Sequence, residues 1–143
     1  MLAIIIGLVI GIGLPIQTSI NSRLKRSVGS PFIASLISFT LGTVFLAIIT
    51  LIKDKSLLIS TNLIIQQPLW LWLGGILGVI YLTSNILLFP KLGSVQTVIM
   101  PILGQIMMGL LIDNFGLFKS MTKPLTLTRI LGANLVLLGV IGA

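Results

Sequence analysis

Apolar residues fall in five long, nearly unbroken runs, Leu2–Asn21, Pro31–Ile52, Leu69–Phe89, Val95–Ile112 and Thr128–Ala143, separated by short polar segments. A hydrocarbon core about 30 Å thick is crossed by roughly 20 helical residues, with a range of about 17–25. The pattern therefore predicts an all-α integral membrane domain over residues 1–143, with transmembrane helices at about 2–21, 31–52, 69–89, 95–112 and 126–143. The boundaries carry their own chemistry. Ser30-Pro31 offers an N-cap followed by proline at the first helical position, where its missing N–H costs nothing. Lys53-Asp54-Lys55 stops the second span, and Ser56–Gln67, too short to cross, is expected along the interface. Pro68, Trp70 and Trp72 open the third span with indoles at headgroup level. Pro90-Lys91 is expected to close it, and Asp113–Gly116 to end the fourth before a polar loop at Lys119–Pro124.

An odd number of spans puts the termini on opposite sides of the bilayer. With the N-terminal side labelled B and the other A, side A carries Arg23, Lys25, Arg26 and Lys91, and side B carries Lys53, Lys55, Lys119, Lys123 and Arg129. Orientation follows the excess of Lys and Arg in short cytoplasmic loops, and four against five gives almost no instruction. Insertion in both orientations is the expectation.

Composition narrows the class further. Hydrophobic residues make up 56% of the chain and charged residues 8%, too few to solvate a water-exposed surface. The net charge of +7 does not read as a nucleic-acid footprint, because the cations flank spans and form no stripe interleaved with aromatics; lipid headgroups account for them. There is no cysteine, hence no disulfide framework or thiolate site. The first run lacks a basic leader and a small-residue cleavage site, and is read as a permanent span rather than a signal peptide.

Glycines recur at helical spacing. Gly7 and Gly11 pair in the first span, and Gly74 and Gly78 in the third, where Tyr81 and Asn85 continue the same face. In the last span Gly132, Gly139 and Gly142 make a stripe suited to close helix contact with a second protomer. Polar side chains gather in the A-side half: Gln17, Thr18 and Asn21 from span one, Ser35 and Ser38 from span two, Thr83, Ser84 and Asn85 from span three, Gln96 and Thr97 from span four. Such groups are costly in lipid unless paired or hydrated. They therefore suggest either a wet vestibule or interhelical hydrogen-bond glue. Pro15 and Pro101 lie inside spans and free the carbonyls of Gly11 and Thr97; interrupted helices with freed backbone groups are a device of transporter binding sites.

The missing residues count as well. The chain has no Glu and no His, and its acids are Asp54 and Asp113. No midplane carboxylate is available to exchange protons against a cationic substrate. No metal-ligand cluster, nucleophile–base pair or phosphate-cradling loop is visible, so no enzyme, metal or cofactor is expected. Asp113 near the end of span four and Arg129 near the start of span five each oppose their own helix dipole. A hairpin between those spans would bring them together as an interfacial ion pair on side B.

Four stretches resemble a known family: GLPIQTSINSRLKRSVGSPFIASLISFTLG at Gly13–Gly42, LGGILGVIYLTSNILLFPKLGSV at Leu73–Val95, GQIMMGLLIDNFGLF at Gly104–Phe118 and RILGANLVLLGV from Arg129. They are similar to the domain-of-unknown-function 606 family of bacterial inner membranes, within the drug/metabolite transporter superfamily. The most specific pieces are Gln17 with Asn21, and Gly104-Gln105 with Asp113–Gly116. The resemblance implies a five-helix half-transporter acting as a dual-topology homodimer, or paired with an oppositely oriented paralogue, and supplies no settled substrate. With the residue pattern, it gives the expectation of a ten-helix antiparallel homodimer in the inner membrane. That dimer would be a secondary transporter, exporter or exchanger, of a small neutral or anionic polar metabolite. Gln17, Asn21, Tyr81, Asn85 and Gln105 are the candidate substrate contacts, amides and a phenol suiting hydroxyl, carboxylate or amide groups. The alternatives are a small multidrug-type exporter of organic cations and a non-transporting membrane assembly subunit.

Overall fold

Every regular element among the described residues of the computed structural model, Met1–Gly142, is helical. The elements are α1 (Leu2–Val28), α2 (Pro31–Asp54), α3 (Thr61–Ile65), α4 (Leu73–Phe115) and α5 (Leu127–Ile141), with 3₁₀ turns at Leu69–Trp72 and Leu117–Lys119. Three helical stretches, Leu2–Val28, Pro31–Asp54 and Leu69–Phe115, are long and apolar enough to cross a bilayer.

The distribution of exposure is inverted relative to a water-soluble protein. Ile4, Ile10, Phe45 and Leu135 are each more than 60% exposed, whereas Thr18, Asn21, Ser22, Ser35, Thr83, Asn85 and Thr97 are buried. Buried apolar residues are few: Ala34, Leu82 and Ile86. Lipid, which solvates aliphatic side chains and not hydroxyls or amides, rewards this arrangement.

The chain divides into two compact units, Met1–Lys91 and Leu92–Ala143; Ala143, where the fifth apolar run ends, lies outside the described residues. In the first unit α1 packs on α2. The small core of Ala34, Leu82 and Ile86 is flanked by Leu24 and Val28, drawing α1, α2 and α4 together. At Gly78 a β-carbon would stand 3.6 Å from the Phe39 ring, an ordinary contact, so the ring of α2 lies over a glycine of α4.

Several boundaries differ from the expected ones. The basic segment Ser22–Val28 is helical rather than a loop, because Arg and Lys are good helix formers. Termination waits for Gly29, whose φ of 77° is a left-handed C-cap and whose N–H donates to the Lys25 carbonyl at 2.8 Å. Ser30 then caps α2, its hydroxyl accepting from the Ile33 N–H at 3.4 Å, with Pro31 opening the helix.

The helix also runs through Pro90 and Lys91, the expected end of the third span. The interruption in α4 is at Gly93, with φ 79° and ψ 174°, a conformation open essentially to glycine alone. A straight helix of 43 residues would be about 65 Å long, twice the hydrocarbon thickness. The Gly93 break divides it into segments 73–92 and 94–115, each of about the length of one crossing. Pro15 and Pro101, expected as breaks, both sit inside regular helix.

In the second unit the C-terminal part of α4 turns back through Gly116 and the 3₁₀ turn into α5. The Lys123 N–H donates to the Asp113 carbonyl at 2.7 Å, pinning the connection to the end of α4. α5 has 15 residues, about 22 Å of rise.

Candidate functional site: a polar seam in the first unit

The polar residues on the three helices of the first unit meet where α1 ends and α2 begins. They divide by what their hydrogen bonds do. Asn21 Nδ2 donates to Ser38 Oγ at 3.2 Å, joining α1 to α2. The Ser35 and Thr83 hydroxyls lie 2.8 Å apart, joining α2 to α4. Interhelical hydrogen bonds of this kind contribute about 0.6 kcal/mol on average, up to about 1.7. Thr18 turns its hydroxyl onto the Leu14 carbonyl of its own helix at 3.0 Å, the bond that lets a β-branched polar residue sit in an apolar environment. These groups hold the bundle together and have spent their hydrogen bonds on it.

A second set has spent none. Asn85 is 5% exposed and makes no hydrogen bond to any described residue. The Ser22 hydroxyl is buried without a partner. Gln17, also without one but exposed, lines a cavity of about 250 Å³ with Ser38, Phe39, Gly42, Thr43 and Leu82. An unpaired buried polar group costs about 1–3 kcal/mol, which water or a bound polar molecule recovers. Ser38 belongs to both sets: its oxygen accepts from Asn21, and its own O–H remains free to donate into the cavity.

Of the other expected contacts, Tyr81 is 37% exposed and neither it nor Asn85 lines that cavity. Gln105 is exposed on the second unit. Around the Gly93 break, Thr97 donates to the Gly93 carbonyl at 2.6 Å, replacing part of the helical bonding that the break removes. Nothing stands within 4 Å of a β-carbon built at Gly132 or Gly139, and Gly142 meets only carbonyls of its own helix. Asp113 and Arg129 are in contact, Arg129 Nη2 donating to Asp113 Oδ2. Arg129 Nη1 also reaches the Lys123 carbonyl at 3.3 Å.

The family model described as "Putative inner membrane exporter, YdcZ" matches residues 2–142, nearly the whole chain. The chain belongs to this family. No curated protein and no solved structure matches it. Family membership and several helices able to span a bilayer together make this a multi-pass inner-membrane protein.

The residues that sequence reasoning undervalued are Phe39, Gly42 and Thr43. They lie on α2 just after Ser38 and form one wall of the cavity. The signal was present as a small residue four positions after Ser38, one turn along the same face. Choosing that wall requires knowing which face α2 turns towards α1.

Proposed function

We propose that the protein is one half of a secondary transporter. Two copies in opposite orientation would form a ten-helix unit that moves a small neutral or anionic polar metabolite by alternating access, in the direction of export or exchange. The observation that carries this reading is the division within the seam: Asn21–Ser38 and Ser35–Thr83 fasten the helices, leaving Gln17 and Asn85 with unspent amides. Gln17 and the free O–H of Ser38 offer three donors and a carbonyl acceptor at the edge of a 250 Å³ cavity, which suits a hydroxyl, amide or carboxylate. That volume lies below the roughly 300–1,000 Å³ of drug-sized pockets. It favours a compact metabolite over the bulky hydrophobic cations of a multidrug exporter, as does the placement of both acids at helix ends rather than mid-span.

In this reading the Gly93 break separates the third and fourth crossings and α5 supplies the fifth. The near-even loop cations allow both orientations, and inversion of one copy against the other gives the two equivalent vestibules that alternating access needs. Asn21 acts as a positioning residue that orients Ser38, and Asn85, Tyr81 and Gln105, none of which lines the cavity, would join the path only in the assembled dimer.

The test is a solute screen in liposomes containing the purified protein, repeated with Gln17→Ala and Asn85→Ala. The reading expects uptake of a small polar solute that falls at least tenfold in each variant while dimer content is unchanged. Transport confined to hydrophobic cations and indifferent to both substitutions would establish the multidrug alternative. No transport of any solute by an intact dimer would favour an assembly subunit.

A further inference from the structure

A second, chemically different pocket lies in the first unit, apart from the seam. It has a volume of about 460 Å³ and is lined by Ser19, Arg23, Arg26 and Ser27 of α1 and by Phe89 of α4. The four α1 residues fall at positions i, i+4, i+7 and i+8, so two guanidiniums and two hydroxyls project from one face of the helix. Ser19 lies at the end of the first apolar run, and Arg23, Arg26 and Ser27 on the stretch of α1 that continues past it, where a helix of 27 residues, about 40 Å long, outlasts the hydrocarbon core. Neither guanidinium has a carboxylate partner among the described residues, because Asp113 is engaged by Arg129 and no other ion pair forms. Arg23 and Arg26 are exposed on α1 and, with the half-buried Phe89 of α4, line one open concave surface.

We propose that this pocket is a binding site for the phosphate of an anionic phospholipid headgroup. Paired arginines present planar forks that bind phosphate oxygens bidentately, and the two serine hydroxyls can each donate one further hydrogen bond. Basic pockets between transmembrane helices at the membrane surface are suited to such headgroups. Phe89 gives the pocket an apolar wall against which the glycerol and upper acyl segments lie, something a free phosphate ion would not use. This assignment concerns a structural lipid and stands or falls independently of the transported solute.

The experiment is native mass spectrometry of the detergent-purified chain, titrated with phosphatidylglycerol or phosphatidylcholine and repeated in the presence of inorganic phosphate. Purified protein is used because loop cations also bias insertion, and the double variant Arg23→Lys/Arg26→Lys keeps the cation count while removing both forks. The site should prefer phosphatidylglycerol. Arg23→Gln and Arg26→Gln should each weaken it about fivefold, the double lysine variant should also weaken it, and Lys25→Gln, outside the pocket, should leave it within twofold. Circular dichroism of each variant checks that the helices are intact. Equal binding of the two lipids, or a loss in Lys25→Gln matching that in Arg26→Gln, would overturn the site in favour of diffuse surface charge. Displacement of the lipid by millimolar inorganic phosphate would overturn the headgroup assignment and make it a soluble-anion site.

Discussion

The clamp that closes the second unit offers a sharp energetic test. Arg129 Nη2 donates to the Asp113 carboxylate, Nη1 to the Lys123 carbonyl, and the Lys123 N–H returns to the Asp113 carbonyl. One guanidinium thus fastens the start of α5 both to the end of α4 and to the loop between them. Two unit charges about 4 Å apart attract by roughly 4 kcal/mol at an effective dielectric of 20. The side chains are 33% and 32% exposed, so solvent screening and lost side-chain entropy bring the net coupling down to about 1 kcal/mol, the upper end for accessible pairs. Relief of two unfavourable dipole terms, each about 0.3–1 kcal/mol, keeps it from falling lower. The Lys123 amide reports opening of this hairpin by hydrogen exchange. Asp113→Asn and Arg129→Gln should each speed its exchange about fivefold, and the double variant should do little more than either alone. Arg129→Lys, which keeps the charge and loses the fork, should fall between wild type and Arg129→Gln. Measured on purified protein, the rates do not depend on membrane orientation. Multiplicative effects, near 25-fold in the double variant, would mean that the two side chains act separately and would refute the clamp.

Three further outcomes follow from the geometry. Gly93→Ala forces a side chain into a backbone region that excludes it, at a cost of about 1–3 kcal/mol; denaturant titration in mixed micelles should register that loss, and an unchanged midpoint would mean that the break relaxes freely. Ser35→Ala or Thr83→Val alone leaves a buried hydroxyl unpaired and should cost about 1 kcal/mol or more, whereas the double replacement should recover much of it; additive losses in the same titration would refute the pairing of α2 with α4. Asn21→Asp keeps the size but replaces the donor with an acceptor facing Ser38, so solute affinity measured by equilibrium binding should fall through disturbance of Ser38, while Asn21→Ser should be milder; equal effects would exclude a positioning role.

The helical class, and the first two helices in particular, could be read directly from the apolar runs, because lipid demands long uninterrupted apolar stretches. The end of α1 could not: Arg23, Lys25 and Arg26 look like loop residues by polarity, yet nothing in their backbone preference stops a helix, and Gly29 does. Pro90 misleads for a related reason. Its missing N–H removes one bond to the preceding turn, which a helix near its end tolerates, whereas Gly93 alone adopts the dihedrals of the break. Within the seam, periodicity assigns Gln17 and Asn21 to one face of α1 but cannot give the register of α1 on α2. That register decides that Asn21 meets Ser38 while Gln17 faces the cavity. Asp113 and Arg129 differ because connectivity alone constrains them: a short return from α4 to α5 leaves two opposite charges at the same end.

The central claim is that oppositely oriented copies of this one chain build the transporter, and the absence of cysteine makes it directly measurable. A single cysteine placed at Thr122, in the exposed connection before α5, can be labelled in intact cells with a membrane-impermeant maleimide and then, after permeabilisation, with a second one. Comparable fractions should react in the two steps, and adding two lysines to one side should shift the ratio and reduce transport together. Labelling of essentially all molecules from one side, in cells without an oppositely oriented companion chain, would contradict the antiparallel architecture.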